Sequence, residues 1–375
     1  MRRIVIAPDS FKGTVMARDA ARALAEGWQS VRPGDALLLV PQADGGEGTL
    51  DAIAAGRPDA RWSTAEVAGP TGEPHPARWL MLPGGHAVVE VAESCGITLL
   101  PHDGSGAPVL APLTASTRGL GETIAAALDA GAVGVTIALG SSASTDGGLG
   151  ALAALGLRLR DAAGATLPDG GGALAALAML DDTDLRAAPP LGVTLLTDTT
   201  ARLTGPEGAA AVFGPQKGAS PNEVALLDEA LARAAALAGG SEHEQPGSGA
   251  AGGTAWGFTR YWGASIRSGA ETVAAITGLD QALEGADLVI TGEGRFDATS
   301  LRGKVVGAVA ERTGAAGVDL AIVAGQADAA AIGERRVVTL VGLAGSTADA
   351  LAAPERWLRE AGAALARALD GEATD

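Results

Sequence analysis

The sequence predicts an α/β fold built around parallel β-sheet, and three observations lead to this prediction. Short runs rich in β-branched residues and Leu alternate with longer alanine-rich stretches, as strands alternate with helices. The short runs are apolar along their whole length, which is typical of strands buried on both faces of a parallel sheet. Gly, Ser, Asp or Lys residues follow directly after five of these runs. Because ligands of such sheets bind beyond the carboxyl ends of the strands, the five loops together predict a shared pocket.

Eight apolar runs fit the strand pattern and six alanine-rich stretches fit the helix pattern. The strands are predicted at residues 4–7, 36–40, 87–91, 135–139, 193–196, 288–291, 320–323 and 337–340. The helices are predicted at residues 16–30, 121–130, 149–157, 223–237, 305–311 and 354–368. The C-terminal residues 370–375 are expected to fray.

Composition and charge restrict the class of protein. Hydrophobic residues make up 47% of the 375 positions and aromatic residues only 3%, so the core is expected to consist mainly of Ala, Val, Leu and Ile. This length suggests about two or three domains. Lys and Arg number 27 against 44 Asp and Glu, which gives a net charge of −17. Since no basic cluster suited to a phosphate backbone occurs, nucleic acid is not expected as a partner.

The sequence gives no signal for secretion or membrane insertion. The first apolar run is short and leads into Asp9, so it is predicted to be a strand and not a signal peptide. No window reaches the roughly 18 apolar residues of a transmembrane helix. Cys95 is the only cysteine, which excludes an internal disulfide. We therefore expect a cytoplasmic protein with no membrane partner, and a homodimer is kept open.

The ten residues PQADGGEGTL, 41–50, follow the second predicted strand and combine two acids with glycines. The glycines permit positive φ angles and the close approach of another group. Asp44 and Glu47 offer carboxylates to a cation or a proton. An exposed turn has the same composition, so both interpretations stay open at this point.

The stretch GSSASTDGG, 140–148, is the best candidate for a phosphate-binding loop. It connects the end of a predicted strand to the start of a predicted helix, which gathers backbone N–H groups at one point. The candidate ligands in it are Ser141, Ser142, Asp146 and Gly147. A serine-rich helix cap is the alternative interpretation.

A second unusual loop reads FGPQKGAS, 213–220. Gly214 and Gln216 belong to a turn that would hold the ammonium group of Lys217 on a stiff segment, and a solvated surface lysine is the alternative. A third stretch, GEGRFDATSLRGK, ends at residue 304 and contains Arg295, Asp297, Arg302 and Lys304. These residues suit anion binding and proton transfer, although a surface cluster of ion pairs would look similar.

Several common catalytic signatures are absent. Gly303-Lys304 is followed by Val305 and lacks the upstream glycine of a Walker loop, because Ala298 stands there. No predicted strand is followed by a dinucleotide fingerprint, and no G-x-S-x-G elbow marks a serine hydrolase. The four histidines lack the spacing of zinc ligands. The stretch GGSEHEQPGSGAAGG, 239–253, has the composition of a flexible linker.

Taken together, the motifs resemble one family, the bacterial class I glycerate kinases, which phosphorylate D-glycerate with ATP and have no Walker loop. The resemblance covers nearly the whole chain in order. It is carried by APDSFKGT from Ala7, ADGGEGT from Ala43, STRGLGETIAAALDAG from Ser116, GSSASTDGG from Gly140, LTGPEGAAAVFGPQKGA from Leu203, GSGAAGG from Gly247 and DLVITGEGRFDATSLRGK from Asp287. The resemblance replaces the linker interpretation of residues 247–253 with a glycine-rich loop of the family.

The resemblance implies a two-domain α/β protein with a parallel-sheet core. Residues 1–64 plus 284–375 would form a discontinuous core domain, residues 65–283 would form an inserted α/β domain, and the active site would lie in the cleft between them. The implied reaction is transfer of the γ-phosphoryl group of ATP, with Mg²⁺, to a hydroxyl of glycerate, giving 2-phospho-D-glycerate.

This reaction assigns roles to the candidate residues as a hypothesis. Lys12, Arg295 and Lys304 would bind the substrate carboxylate or the moving phosphoryl group, and Asp198 or Asp297 would take the hydroxyl proton. Asp44 and Glu47 would hold Mg²⁺ directly or through water. Two loops would bind the nucleotide phosphates. The first contains Ser141, Ser142, Asp146 and Gly147, and the second contains Gly214, Gln216 and Lys217.

Three segments depart from the family pattern, and one is TAWGFTRYWG after the glycine-rich loop, which has aromatic residues where the family tends to have small ones. Thr145 stands where the family usually has Asn before Asp-Gly-Gly. The family sequence Cys-Asp-Val followed by Asn-Pro-Leu appears here as TDTTARLTG, which keeps Asp198 but replaces most of its neighbours between Thr197 and Arg202. The alternatives are therefore a kinase for another small hydroxy acid and a metabolite-binding homologue without catalysis.

Overall fold

A computed structural model of the chain describes residues 1–301, 303–333 and 335–371. Arg302, which was predicted to bind anions, and residues 372–375 of the tail that was predicted to fray lie outside the described residues. The chain forms two compact units. The first unit contains Met1–Asp44, Asp51–Pro58 and the described residues from Ser268 onward, and the second contains Gly45–Leu50 and Asp59–Arg267. The domain limits implied by the resemblance, 1–64 plus 284–375 and 65–283, stay a prediction.

The first unit alternates strands with helices. Its elements are β1 (Arg3–Ile6), α1 (Ala17–Val31), β2 (Ala36–Leu39), α9 (Gly269–Thr277), α10 (Leu279–Leu283), β11 (Leu288–Phe296), α11 (Val305–Ala316), β12 (Asp319–Ala327), α12 (Ala329–Ile332), β13 (Arg336–Thr339), α13 (Leu340–Ala344), α14 (Thr347–Ala352) and α15 (Pro354–Gly371). Helix α2 (Thr49–Gly56) begins in the second unit and ends in the first.

The elements of the second unit are β3 (Arg61–Ala68), β4 (Pro74–Leu82), β5 (His86–Glu90), α3 (Val91–Cys95), α4 (Arg118–Asp129), β6 (Gly134–Ala138), α5 (Leu149–Ala154), β7 (Arg158–Arg160), β8 (Met179–Asp181), β9 (Val193–Leu196), α6 (Ala209–Phe213), α7 (Pro221–Ala238), α8 (Ala250–Trp262) and β10 (Ser265–Arg267).

The sheet of the first unit is parallel throughout, in the order β13-β12-β11-β1-β2. Successive side chains of a strand point to opposite faces, and the two faces of this sheet have separate cores. Ile4 and Ile6 of β1 pack in a core with residues of α1 and α15. Val5, between them, packs in a core with residues of α9, α10 and α11. Burial on both faces explains why the three residues of β1 after Arg3 are all apolar.

The second unit contains a mixed sheet in the order β10-β9-β6-β5-β4-β3 and a separate β7-β8 hairpin. Pairing is parallel from β5 to β10, and antiparallel between β3, β4 and β5. The prediction of an α/β fold with parallel-sheet cores is confirmed. The antiparallel strands β3 and β4 were not predicted, because β3 mixes apolar with polar and charged residues and β4 begins with two prolines and a histidine. Within the described ranges, no helix combines the length and apolar character needed to span a bilayer.

The linker composition of residues 239–253 was misleading, because its second half packs tightly. Ser248 is fully buried, and Ala251, Gly252 and Gly253 all have positive φ near the start of α8. The Gly252 carbonyl accepts a hydrogen bond of 3.0 Å from the Gly147 N–H. A side chain at Gly252 would bring its Cβ within 2.1 Å of the Ser144 carbonyl oxygen. The glycines therefore allow close contact between two backbone segments.

Candidate active site

A cavity of about 470 Å³ opens at the carboxyl ends of the parallel strands of the first unit. The loop after β1, the loop after β2 and the end of β11 all contribute to its lining. The backbone N–H of Asp9 donates to the Gly292 carbonyl at 2.8 Å, which continues the pairing of β1 with β11 to the edge of the cavity. The charged residues that line the cavity are Asp9, Lys12, Asp44, Glu293, Arg295, Asp297 and Lys304.

Three of these residues bring negative charges close together. Asp9 is only 9% exposed, and burial, reinforced by the charge of Asp44, raises the pKa of Asp9 to about 7. Burial also raises the pKa of Glu293. The backbone N–H of Ser10 donates to Oδ1 of Asp9 at 2.6 Å and partly offsets the effect. This part of the cavity therefore favours a proton or a cation.

The cationic side chains lie on the more exposed part of the lining. Lys12 Nζ lies 3.7 Å from Oδ2 of Asp44, and its side chain is 79% exposed. Arg295 contacts Asp328 at 3.2 Å, and its Nε lies 3.9 Å from Oδ2 of Asp297. Lys304 Nζ donates to Oγ1 of Thr299 at 3.0 Å. The mobile, hydrated ends of these side chains can turn toward an anion in the cavity.

Asp297 is held in its ionised form by hydrogen bonds from Thr299. Its Oδ1 accepts hydrogen bonds from the hydroxyl and the backbone N–H of Thr299, at 2.6 and 2.8 Å. These bonds lower the pKa of Asp297, so its carboxylate is ionised at neutral pH. An ionised carboxylate can accept a proton or orient a hydroxyl, but a lowered pKa makes Asp297 a weaker base than an ordinary aspartate.

The predicted phosphate loop lies in the second unit, and its acid, Asp146, is buried and accepts hydrogen bonds from the protein itself. Asp146 is 1% exposed. Its Oδ2 accepts hydrogen bonds from the Thr117 N–H at 2.8 Å and the Thr117 hydroxyl at 2.9 Å, and its Oδ1 accepts one from the Gly148 N–H at 3.1 Å. Burial raises the pKa of Asp146 although these bonds oppose the shift. Ser142 is also buried, whereas Ser141 is exposed and has a φ of 60°.

Lys217 was predicted to meet phosphate, with a solvated surface lysine as the alternative, and the structure buries it to 3% exposure. Its Nζ donates to Oγ of Ser142 at 2.8 Å and to the Ser144 carbonyl. Burial lowers the pKa of Lys217 to about 8, and the nearby charge of Asp146 opposes the shift. Gln216, its neighbour, is exposed, and Gly214 is buried. Lys217 therefore connects its own loop to the Ser142–Ser144 segment.

The glycines of PQADGGEGTL serve backbone packing within the second unit. A Cβ at Gly45 would lie 2.8 Å from Cβ of Leu196. At Gly140 it would lie 2.3 Å from Cα of Gly46, and the Gly140 N–H donates to the Gly45 carbonyl. Glu90 holds the same turn by accepting from the Gly48 N–H at 2.8 Å. These contacts explain the glycines without a ligand.

The remaining predicted residues divide between the units. Asp44 lines the cavity of the first unit, whereas Glu47 is exposed and belongs to the second. Asp198 is exposed in the loop after β9 of the second unit. The shared role of Asp44 and Glu47 in binding Mg²⁺ stays a prediction, as does the catalytic role of Asp198.

The donor set of the first cavity fits Mg²⁺ bound together with phosphate. Among the described residues, Oε1 of Glu293 is a buried carboxylate oxygen with no hydrogen-bond partner, and Asp9 and Asp44 line the same cavity. Among all the residues that the structure describes, no group of three or more His, Cys, Asp or Glu side chains could hold a metal ion. Mg²⁺ usually takes only one or two protein carboxylates and completes its shell with water and phosphate oxygens.

Asp9 and Glu293 were missed in the sequence, although both lie within motifs that were singled out. PDSFKG and GEGRFD each follow a predicted strand. Catalytic roles were assigned to Lys12 in the first motif and to Arg295 and Asp297 in the second. The signal available was the position of an acid immediately after an apolar run. Their burial beside Asp44 depends on pairing between β1 and β11, which the sequence does not display.

Comparisons with known proteins agree along the whole chain. A sequence model described as the glycerate kinase family matches residues 4–370. A protein named glycerate kinase from Bacillus subtilis (strain 168) is 42% identical over 311 residues, covering 80% of this chain and 79% of that protein. A protein named glycerate 2-kinase from Escherichia coli (strain K12) is 39% identical over 312 residues, covering 81% and 80%.

A solved structure agrees as well. A crystal structure designated glycerate kinase 2 from Salmonella typhimurium LT2 matches with a TM-score of 0.83 and 34% identity, over 100% of both chains. The fold, the charged cavity and these matches define the chain as a small-molecule kinase. It belongs to the glycerate kinase family, which confirms the resemblance noted in its motifs.

Proposed function

We propose that this protein transfers the γ-phosphoryl group of ATP to D-glycerate, forming ADP and 2-phospho-D-glycerate. The observation that most supports this reaction is the first-unit cavity, which combines Lys12, Arg295 and Lys304 with buried carboxylates at the ends of parallel strands. The names of the B. subtilis and E. coli relatives support glycerate as the acceptor. The E. coli name supports the 2-position.

In this reaction the substrate hydroxyl oxygen forms a bond to the γ-phosphorus while the bond to the β,γ-bridging oxygen breaks. Negative charge on the transferred group is met by Lys12, Arg295 and Lys304, which reduces the barrier mainly through positioning and electrostatics. The hydroxyl proton passes to a carboxylate, for which Asp198 and Asp297 are the candidates. The lowered pKa of Asp297 keeps it ionised and able to accept a hydrogen bond from that hydroxyl.

Asp44 and Glu293 are the side chains that would hold Mg²⁺ in the cavity. When bound, the ion would neutralise charge on the phosphate oxygens. A cytoplasmic location belongs to the same proposal, because the cytoplasm supplies ATP and keeps a free thiol such as that of Cys95 reduced.

The direct experiment is an ADP-release assay with Mg-ATP and D-glycerate, with the phosphorylated position read by phosphorus NMR. We expect turnover and a signal from 2-phosphoglycerate. A 3-phosphoglycerate signal would overturn the position. Folded protein that binds ATP but releases no ADP with D-glycerate would overturn the acceptor, and a panel of small hydroxy acids would then test the altered segment from Thr197 to Arg202.

Substitutions test the roles. Lys12→Ala and Asp198→Asn are each expected to lower kcat/KM by about 10²-fold or more, as the loss of a positioned catalytic group does. A loss within about twofold for either variant would remove that residue from the mechanism. Because both residues are exposed, the two substitutions should leave the fold intact, and a thermal melt of each variant checks this.

A further inference from the structure

The connectivity of the first unit creates one crevice in its sheet. From β1 the chain proceeds to β2 on one side, whereas from β11 it proceeds through β12 to β13 on the other side. In open parallel sheets, ligands bind where the strand order reverses in this way. The cavity takes its lining from the residues that follow β1 and from the end of β11, so it lies at this reversal. Topology therefore marks it as the main ligand site of the unit.

The cavity is larger and more apolar than a three-carbon acid requires. Its volume of 470 Å³ falls within the range of about 300 to 1,000 Å³ typical of sites for much larger ligands. Besides the charged residues, it has an apolar wall contributed by α13, α14 and the start of α15. The residues of this wall are Leu340, Val341, Ala350, Leu351 and Pro354.

Leu351 is the most informative residue of the wall. Its side chain is 58% exposed, although Leu340 and Ala350 of the same wall are almost completely buried. Covering such a side chain with an apolar ring would remove its surface from water and add affinity. Gln326 and Thr347 also line the cavity, where Nε2 of Gln326 donates to Oγ1 of Thr347 at 2.9 Å. These two polar groups offer hydrogen bonds to sugar hydroxyls or ring nitrogens.

The second unit offers a poorer site for a triphosphate. Its own cavity, of about 320 Å³, is lined by Arg118 and Arg158. Arg118 donates to both carboxylate oxygens of Asp169, at 2.6 and 2.9 Å, and Arg158 donates to Asp181 at 3.1 Å. Lys217 is buried against Ser142 and Ser144. An anion would have to displace these carboxylates and carbonyls before it could reach a positive charge.

We propose that the first-unit cavity binds the nucleoside triphosphate along its whole length, with the phosphates against Lys12, Arg295 and Lys304 and the nucleoside against the wall containing Leu351. This inference rests on the proposed function for the identity of the nucleotide. It places the phosphates on the first unit, in place of the loops containing Ser141 and Lys217. The carboxylates of Asp9, Asp44 and Glu293 then lie beside the phosphates, where Mg²⁺ would be shared.

Binding measurements on the whole protein can separate the two ends of the nucleotide. ADP tests both ends, whereas inorganic tripolyphosphate tests the phosphate end alone. We expect Leu351→Asn to weaken ADP binding by about tenfold through loss of apolar contact, and to leave tripolyphosphate binding unchanged. Lys304→Met should weaken both ligands. Leu351→Met keeps the apolar contact and should bind ADP nearly as the wild type does.

The matched control is Leu237→Asn. Leu237 is also an exposed leucine on a helix, α7 of the second unit, at 44% exposure. It should bind both ligands as the wild type does. An ADP affinity of Leu351→Asn within about twofold of the control would overturn the nucleoside position. Tripolyphosphate binding that survives in Lys304→Met but is lost in Lys217→Met would overturn the phosphate position.

Steady-state kinetics separate this inference from the proposed function. If the wild type phosphorylates glycerate and Leu351→Asn raises KM for ATP but not for glycerate, both stand. If the wild type phosphorylates glycerate and KM for ATP is unchanged in Leu351→Asn, only the present inference fails. If ADP binding depends on Leu351 while D-glycerate is not phosphorylated, the nucleotide site stands and the acceptor assignment fails.

Discussion

The Nζ atom of Lys217 donates a hydrogen bond of 2.8 Å to Oγ of Ser142, 75 positions away in the chain. Lys217→Met keeps the length of the side chain but leaves Ser142 and the Ser144 carbonyl without this donor. We expect a loss of about 1–3 kcal/mol in the free energy of unfolding, the usual effect of a buried polar group losing its partner. Urea denaturation followed by circular dichroism measures this loss.

Lys12→Met is the matched control, because the Lys12 side chain is 79% exposed. Its stability should stay within about 0.5 kcal/mol of the wild type, while its kcat/KM falls. Lys217→Met should instead lose stability while its KM for ATP stays within about threefold of the wild type. A Lys217→Met protein of normal stability with a large loss of kcat/KM would instead restore Lys217 to the phosphate site.

Lys217 also predicts how stability depends on pH. Burial lowers its pKa from 10.5 to about 8 in the folded protein, so between these values the unfolded chain binds more protons than the folded one. The free energy of unfolding should therefore rise with pH across this window, by on the order of 3 kcal/mol.

Urea titrations below, within and above the window, for the wild type and Lys217→Met, measure the effect. Subtracting the Lys217→Met curve removes the titration of all other groups that the substitution leaves unchanged. A difference between the two curves that is flat across the window would contradict the assigned burial of an ionisable ammonium at this position.

Asp9→Asn tests the crowding of carboxylates in the first-unit cavity. The substitution keeps the shape of the side chain and removes a buried charge that lies beside Asp44 and Glu293. We expect kcat to fall by roughly 10²-fold, as for other groups that touch the reacting phosphates or their metal ion. The melting temperature should be at least as high as that of the wild type, since like-charge repulsion is relieved.

The opposite effects on activity and stability distinguish this role from a structural one. Asp35 provides the control, because it is equally buried but accepts hydrogen bonds from the Arg2 N–H at 2.8 Å and from Arg32 at 2.7 Å. Asp35→Asn should lower the melting temperature. If Asp9→Asn also lowers the melting temperature, the Asp9 carboxylate stabilises the fold, and its repulsion from Asp44 and Glu293 does not destabilise the protein.

Gly252→Ala tests the packing of the glycine-rich segment at the start of α8. The new Cβ would lie 2.1 Å from the Ser144 carbonyl oxygen, and Gly252 has a φ of +67°. Overpacking together with strained backbone should destabilise the protein by about 2–4 kcal/mol.

Gly314→Ala in α11 is the control, because nothing lies within 4 Å of its Cβ position. It should stabilise the helix by about 0.5–1 kcal/mol. Thermal and urea unfolding of both variants measure the contrast, and equal stabilities would show that residues 247–253 behave as a linker.

Apolar patterning predicted the parallel strands except β10, whose three residues Ser265–Arg267 are mostly polar. Residues 4–7 and 288–291 were predicted as strands because burial on both faces favours apolar side chains there, and both lie in the first sheet. The end of β11 was missed, since Gly292, Glu293 and Arg295 look like a loop in the sequence. They are a strand because β12 pairs with them as far as Phe296, and pairing between distant segments leaves no local signal.

The candidate site could be predicted in part for a related reason. The loops after strands were located correctly, because the carboxyl ends of parallel strands share one edge of a sheet. Whether a charged side chain in such a loop faces a cavity or the interior depends on its partners. Lys217 is buried because Ser142 and Ser144 accept its hydrogen bonds. Glycines at 45 and 140 gave a pattern typical of a ligand site, although the groups that approach them are Leu196 and the backbone of Gly46.

The first unit brings together segments from opposite ends of the sequence, and this affects how the protein is made. The Thr291 hydroxyl donates to the Ala7 carbonyl across 284 positions, so β1 has to remain without β11 while the intervening residues are synthesised. The second unit is almost continuous, from Asp59 to Arg267, and leaves the ribosome before β11 does. Its residues can therefore fold while β1 and β2 are still exposed to chaperones and proteases. Interrupted chains that end before β11 would lack the crevice, so the first-unit cavity can form only after synthesis has passed this strand.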